Sequence, residues 1–361
     1  MRTMRFMAAA AALALGAAAC GAANEEPAAG GAVAATLSGH LAGAGASSQE
    51  AAMQAWIAGF QDANPETTVS YDPVGSGGGR EQFVAGGTAF GGTDSHLADE
   101  ELTGAQERCG GPDNLIEIPV YVSPIAIIYN LEGVDQLNLS PETLAKIFKQ
   151  QVKTWDDPAI AADNPDATLP NDRITVVNRS DESGTTENFA EYLAAVAPDV
   201  WDFEVSGEWP VKGGEAAQGT SGVVDAVKAG KGAIGYADAS QAGELGKARI
   251  KVGTEFVAPD PAAAAKIVEA SPETDDPGAH VFTYELARDT TEAGTYPIVL
   301  VSYLMACTHY DDAAEGALVK GFVNYIVSPE GQQAAAQSAG SAPMSEAVRA
   351  QVQPAVDAIS G

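Results

Sequence analysis

Arg179, Asp181 and the triplet Ser183-Gly184-Thr185 sit close together in the stretch Asn178-Arg179-Ser180-Asp181-Glu182-Ser183-Gly184-Thr185-Thr186. The apolar run Ile174-Thr175-Val176-Val177 precedes it, and Phe189, Tyr192, Leu193 and Val196 follow at i, i+3, i+4 and i+7, the spacing of one buried helical stripe. A strand, a tight loop and a helix start are expected, with the amino end of the helix facing the loop. That end carries N–H groups without helical partners and the positive pole of the helix dipole. Ser183, Gly184 and Thr185 thus offer backbone donors and two hydroxyls to an anion, and Arg179 adds a planar fork that suits a tetrahedral oxyanion. Asp181 is spaced to hold that fork. The same residues also fit an ordinary N-cap beside a surface Arg–Asp pair.

The rest of the chain supplies similar strand ends. Leu37, Gly39 and Leu41 alternate into Gly43-Ala44-Gly45-Ala46-Ser47-Ser48, after which Met53, Trp56, Ile57 and Phe60 mark an amphipathic helix with core-facing residues. Thr68 to Tyr71 runs into Gly75-Ser76-Gly77-Gly78-Gly79-Arg80, and Ala89 to Gly92 runs into Thr93-Asp94. Ligands of open α/β sheets bind outside the carboxyl ends of strands, and glycine lets the backbone come close, although one Gly-rich loop alone is ordinarily a turn. Further strands are expected at Ile125–Asn130, Gly232–Tyr236 and Ile298–Leu304. Helices are expected from Ser140-Pro141-Glu142, from Gly219-Thr220-Ser221-Gly222 with Val223, Val224 and Val227, and near 311–327, 328–339 and 345–359. Val257 to Gly278 reads as an irregular surface excursion with a short helix. The alternation implies an α/β protein.

The chain has 361 residues, 45% of them apolar, so it exceeds one hydrophobic core and two packed lobes are expected. A formal charge of -30 argues against nucleic acid and against an anionic membrane surface as partners. It leaves room for an anion site, because surface charges are screened over about 8 Å whereas donors in a dry cleft act at contact distance. Met1 to Arg5 is basic and Phe6 to Ala19 apolar, so residues 1–19 read as a secretory signal. Ala17-Ala18-Ala19 before Cys20 resembles a lipobox, which would make Cys20 the lipidated first residue of a flexible tether, 20–35; Ala17-x-Ala19 also suits plain secretion. Cys109 and Cys307 remain, either as a disulfide or as two separately buried thiols. Catalysis through Ser183 or Ser76 would need a base or metal, and none of His40, His96, His280 and His309 lies in such a motif; only His96 stands near a candidate group, Asp94. No cofactor or metal is expected.

Taken in order, Gly43-Ala44-Gly45-Ala46-Ser47, Gly75-Ser76-Gly77-Gly78-Gly79, Phe90-Gly91-Gly92-Thr93-Asp94, Thr154-Trp155-Asp156-Asp157-Pro158, Arg179-Ser180-Asp181 with Ser183-Gly184-Thr185, and Gly232-Ala233-Ile234-Gly235-Tyr236 resemble the phosphate-binding protein of the bacterial ABC phosphate uptake system, over about 37–347. The resemblance implies a two-lobed periplasmic-binding-protein fold (type II), with two hinge crossovers and one dehydrated phosphate in the cleft. Lobe I would be 36–124 plus 301–361, and lobe II 125–300. By that resemblance Ser47, the N–H of Ser48, Ser76 and Asp94 contact phosphate from lobe I. Arg179, Ser183, Gly184 and Thr185 do so from lobe II, with Asp181 supporting Arg179. Cys109 and Cys307 would share lobe I, in agreement with a disulfide. The implied protein is a monomer on the outer face of the cell membrane, anchored only by its lipid, that delivers phosphate to permease subunits powered by a separate ATPase subunit. Asp94 would accept a hydrogen bond from protonated phosphate, which sulfate cannot give, so a sulfate-like oxyanion is the alternative that this residue opposes; the residue also fits a turn cap. Two positions depart from the family pattern. Ser48-Gln49-Glu50 replaces an aromatic and prolines, and Glu182 adds negative charge where glycine is commoner.

Overall fold

The architecture follows from runs of β-branched and aliphatic residues that end in glycine or proline, each followed by an amphipathic helix. The computed structural model describes residues 37–274 and 278–361. The expected signal, the lipidation site Cys20 and the tether lie outside the described residues. In chain order the elements begin β1 (Gly39–Gly45), α1 (Glu50–Ala63), β2 (Thr67–Asp72), α2 (Ser76–Val84), β3 (Phe90–Thr93), α3 (Asp99–Cys109) and β4 (Leu115–Asn130). There follow β5 (Asn138–Leu139), α4 (Pro141–Phe148), α5 (Pro158–Asp163), β6 (Thr175–Arg179), α6 (Gly184–Val196), β7 (Glu215–Ala217), α7 (Gly219–Ala229) and β8 (Ala233–Asp238). The chain closes with β9 (Gly246–Lys247), β10 (Arg249–Val252), β11 (Glu255–Val257), α8 (Pro261–Ala270), β12 (His280–Val281), β13 (Val299–Cys307), α9 (Ala313–Val327), α10 (Pro329–Ala339) and α11 (Glu346–Ala358).

The main sheet runs β2-β1-β3-β13-β4-β8-β6-β7. β1 pairs parallel with β2 and β3, as β6 does with β7 and β8, so each trio points its carboxyl ends to one side. The long β4 joins the trios. Residues 115–124 pair antiparallel with β13, whereas Ile125–Asn130 pair antiparallel with β8. The strand expected at Ile125–Asn130 is therefore the second half of a longer one. Pro119 and Pro124 obscured it, because proline supplies no N–H to the ladder and reads as a break. At Pro124 the pairing changes hands, which is where a missing donor is tolerated.

The core is continuous with these strands. Trp56 and Met53 are buried, and Trp56 Nε1 donates to the carbonyl of Gly331 at 2.8 Å. In α6, Phe189, Tyr192 and Leu193 are fully buried while Val196 is half-buried, so the expected stripe frays by one position. Each such side chain contributes about 1.5–3 kcal/mol of burial. Phe189 packs on Phe148 and Tyr236 with centroids 4.8 and 4.9 Å apart, which pins the amino end of α6 above the end of β6. Cys109 and Cys307 form a disulfide that joins the end of α3 to the end of β13. No helix among the described residues is long and apolar enough to cross a membrane.

Candidate anion-binding site

Five of the six strands in the parallel trios, β1, β2, β3, β6 and β7, lead directly into the glycines, hydroxyls and charges singled out above. At the end of β6, Arg179 is 3% exposed. Its Nε donates to Asp181 Oδ1 at 2.9 Å and its Nη2 to Asp181 Oδ2, a forked pair that fixes the guanidinium plane. Asp181 Oδ1 also accepts from the Gly219 N–H at 3.0 Å, at the start of α7. Burial alone would raise the Asp181 carboxyl, but Arg179 and the Gly219 N–H outweigh it and hold it below the usual range. The Arg179 N–H donates to the Tyr236 hydroxyl at 3.2 Å, and that hydroxyl is 2.7 Å from Thr186 Oγ1. Burial pushes the Tyr236 phenol up to about 12, so it stays a neutral strut.

Ser183 is the N-cap of α6, extended in backbone, and its Oγ accepts from the Thr186 N–H. It is thus both cap and candidate ligand. Gly184 meets the opposite loops: a Cβ there would lie 2.7 Å from Asp94 Cβ and 2.8 Å from Ser76 Oγ, so any side chain would wedge them apart. Gly75 opens α2 with a φ of 103°, a conformation open to glycine, and a Cβ there would lie 2.5 Å from Asp181 Oδ2. Ser76 Oγ accepts from the Asp94 N–H at 3.1 Å.

Asp94 lies at the centre and is 3% exposed. Its Oδ1 accepts from Ser48 Oγ at 2.6 Å and from Ser302 Oγ at 2.5 Å, and its Oδ2 from Ser48 Oγ at 2.8 Å and Thr185 Oγ1 at 2.9 Å. Burial raises this carboxyl, while the Ser302, Ser48 and Thr185 hydroxyls and the Arg179 charge oppose the rise. Because the Ser48 and Thr185 hydroxyls are committed to Asp94, those residues retain chiefly their N–H groups for an anion. Ser47 Oγ accepts from the Thr220 N–H at 3.0 Å and lies 3.0 Å from Thr220 Oγ1.

Of the eight residues expected to contact the anion, Ser48, Ser76, Gly184 and Thr185 meet Asp94, Ser47 reaches Arg179 through Thr220, Gly219 and Asp181, and Ser183 does so through Thr186 and Tyr236. Glu182 pairs with Arg80, whose Nε also reaches Glu101 Oε2 at 2.7 Å, so one guanidinium serves two carboxylates. The loop at Ser48 is held by Gln241, whose amide donates to the carbonyls of Ser47 and Ser48 at 2.8 and 3.3 Å. His96 is exposed, and neither Ser76 nor Ser183 meets an imidazole among the described residues. Sequence reading missed Ser302, Thr220, Gln241 and Arg80, as well as Asn188, whose amide donates to the Asp94 carbonyl at 2.7 Å, and Gln49, whose amide donates to Ser302 Oγ at 2.6 Å. The only signal for Ser302 is a lone hydroxyl inside a buried apolar strand, and Thr220 appeared only as a helix opener.

A model described as a PBP superfamily domain matches residues 30–330. Phosphate-binding protein PstS 3 of Mycobacterium tuberculosis (strain ATCC 25618 / H37Rv) is 36% identical over 324 residues, covering 89% of this chain and 86% of its own. Phosphate-binding protein PstS of Xylella fastidiosa is 30% identical, covering 83% and 80%. A high-affinity periplasmic phosphate-binding protein solved with phosphate at pH 8.5 superposes with a TM-score of 0.73 at 25% identity, covering 88% of this chain and 93% of that one. The chain belongs to the PBP superfamily and, within it, to the family of phosphate-binding proteins with the two-lobed fold.

Proposed function

We propose that this protein is an extracytoplasmic receptor that captures one inorganic phosphate between Arg179, the amino ends of α2 and α6 and the Ser47–Ser48 loop, and delivers it to an ABC transporter. The observation that carries this reading is the Asp94 carboxylate. It is buried, fed by hydroxyl donors and set against the first turn of α6, so it can accept a proton-bearing oxygen of phosphate and repels sulfate, which has no proton to give. The ligand contacts are Ser47, Ser48, Ser76, Asp94, Arg179, Ser183, Gly184 and Thr185, with Asp181 holding Arg179. Residues 36–124 with 301–361 form lobe I and 125–300 lobe II, a division supported by the change of β4 pairing at Pro124. The receptor acts as a monomer, without chemistry on its ligand. A lipid on Cys20 holds it at the outer face of the membrane, where it docks on permease subunits driven by a separate ATPase.

Equilibrium dialysis with labelled phosphate tests the site. Two charge-assisted bonds from Arg179 are worth about 1.5–3 kcal/mol each, so Arg179→Ala should weaken binding at least a hundredfold while circular dichroism stays native. Unchanged affinity in a folded variant would remove the assignment.

A further inference from the structure

We propose that Ser302, with its proton direction set by Gln49, holds Asp94 in its acceptor-only form and thereby sets how far the site discriminates between protonated and fully ionised oxyanions. This rests on the phosphate reading above. Ser302 is fully buried on β13, between Val299-Leu300-Val301 and Leu304-Met305-Ala306, at the bulge where pairing with β4 shifts. A lone hydroxyl there needs partners, and it has three: Gln49, Thr93 and Asp94.

Their directions are forced. Gln49, also fully buried, places its amide nitrogen 2.6 Å from Ser302 Oγ and 3.1 Å from the Tyr303 carbonyl. A carbonyl only accepts, so the Gln49 nitrogen, rather than its oxygen, must face it. The same NH2 group then donates into Ser302 Oγ. The Ser302 proton is left to go outward, and Asp94 Oδ1 at 2.5 Å outcompetes the Thr93 carbonyl at 3.3 Å. Gln49 Oε1 has no hydrogen-bond partner among the described residues, and it fits because Gly92 has no Cβ; one there would lie 2.8 Å from it. An unpaired buried oxygen is costly, and the amide is kept in this orientation by what its nitrogen does.

Ser302 differs from the other donors to Asp94. Ser48 and Thr185 belong to the ligand loops, whereas Ser302 reaches Asp94 from the crossing strand behind it, so it positions the carboxylate without touching the anion. Burial drives Asp94 towards its neutral form, and the Ser302 bond is the leading opposing influence, ahead of Ser48, Thr185 and Arg179. The other groups near Asp94 are the Tyr71 phenol on β2, which burial keeps protonated, and Arg288, Glu191 and His96, which line the cavity reaching it from behind. A neutral Asp94 would carry a donor, and sulfate would no longer be excluded.

The test is calorimetric titration of the ligand-stripped protein with phosphate and with sulfate from pH 5 to pH 8.5, for wild type, Ser302→Ala and Ser302→Thr. Losing one charge-assisted donor should raise the pH at which sulfate begins to compete by about one unit, a tenfold change in protonated Asp94 at fixed pH. Ser302→Thr keeps the hydroxyl and should return towards wild type. Infrared difference spectra of the ligand-free proteins give a second readout: the protonated-carboxyl band that Asp94→Asn removes should appear at higher pH in Ser302→Ala. Superimposable sulfate-to-phosphate profiles and an unmoved band, in variants that bind phosphate, would overturn the proposal. Failure of the wild type to bind phosphate would instead overturn the reading beneath it.

Discussion

Burial pushes a carboxyl towards its protonated form and hydrogen-bond donors oppose that push, and two buried carboxyls of this chain differ in how many donors they have. Asp94 has three hydroxyl donors and Arg179 nearby. Glu117, fully buried on β4, has only the Leu97 N–H at 2.9 Å on Oε1, and its Oε2 has no hydrogen-bond partner among the described residues. Burial pushes Glu117 up to about 8 from 4.5, with Leu97 and Arg80 opposing too weakly to reverse it. The folded protein therefore holds a proton that the unfolded chain releases. The associated stability is fully present below about pH 4.5 and is lost as pH rises through about 8. The melting temperature of the wild type should fall by several degrees between pH 5 and pH 8.5, and that of Glu117→Gln should fall less. Parallel curves for the two proteins would assign the titration to another group.

At the scale of elements, the side chains on either side of the cleft already touch. Arg80 on α2 is 4% exposed and is held by Glu101, Thr93 Oγ1 and Ser95 Oγ, the last two at 3.0 Å; its remaining nitrogen reaches Glu182 in the β6–α6 loop. The Glu182 side chain is 45% exposed, so this clasp is a screened ion pair worth about 0.2–1 kcal/mol towards closure. Since Glu182 is paired with Arg80, which it shares with Glu101, loss of the clasp is expected to outweigh relief of repulsion. Phosphate affinity of Glu182→Gln should drop about two- to fivefold at low salt and converge on wild type at high salt; a rise in affinity would show instead that Glu182 acts as a repelling charge. Much of this level was legible in the sequence. The loops after β1, β2, β3 and β6 announce themselves because a strand, a glycine and a hydroxyl fall within a few residues, and the stripe of α6 is periodic. What was hidden is non-local. Nothing near Arg80 names Glu182, nothing near Asp94 names Ser302, and two prolines split β4 on paper where the sheet carries it through by changing partners.

At the scale of the molecule, two sheet halves share β4, and the residues proposed to contact the ligand are divided between the loops that each half presents. A ligand that contacts both halves favours the closed arrangement by the contacts it gains there. The Cys109–Cys307 bond ties residues separated by 198 positions, which removes much of the freedom of the unfolded chain. The double variant Cys109→Ala/Cys307→Ala should lose about 2–5 kcal/mol in denaturant unfolding, and a change below about 0.5 kcal/mol would mean that the fold does not depend on the bond. The central claim is that the buried Asp94 carboxyl, set among hydroxyl donors, makes this cleft a receptor for phosphate and excludes sulfate. Isothermal titration of the chain lacking residues 1–20, unfolded and refolded to strip bound ligand, tests it most directly. One-to-one phosphate binding with no measurable sulfate response at pH 7 is expected; equal responses to the two anions, or none to phosphate, would contradict it.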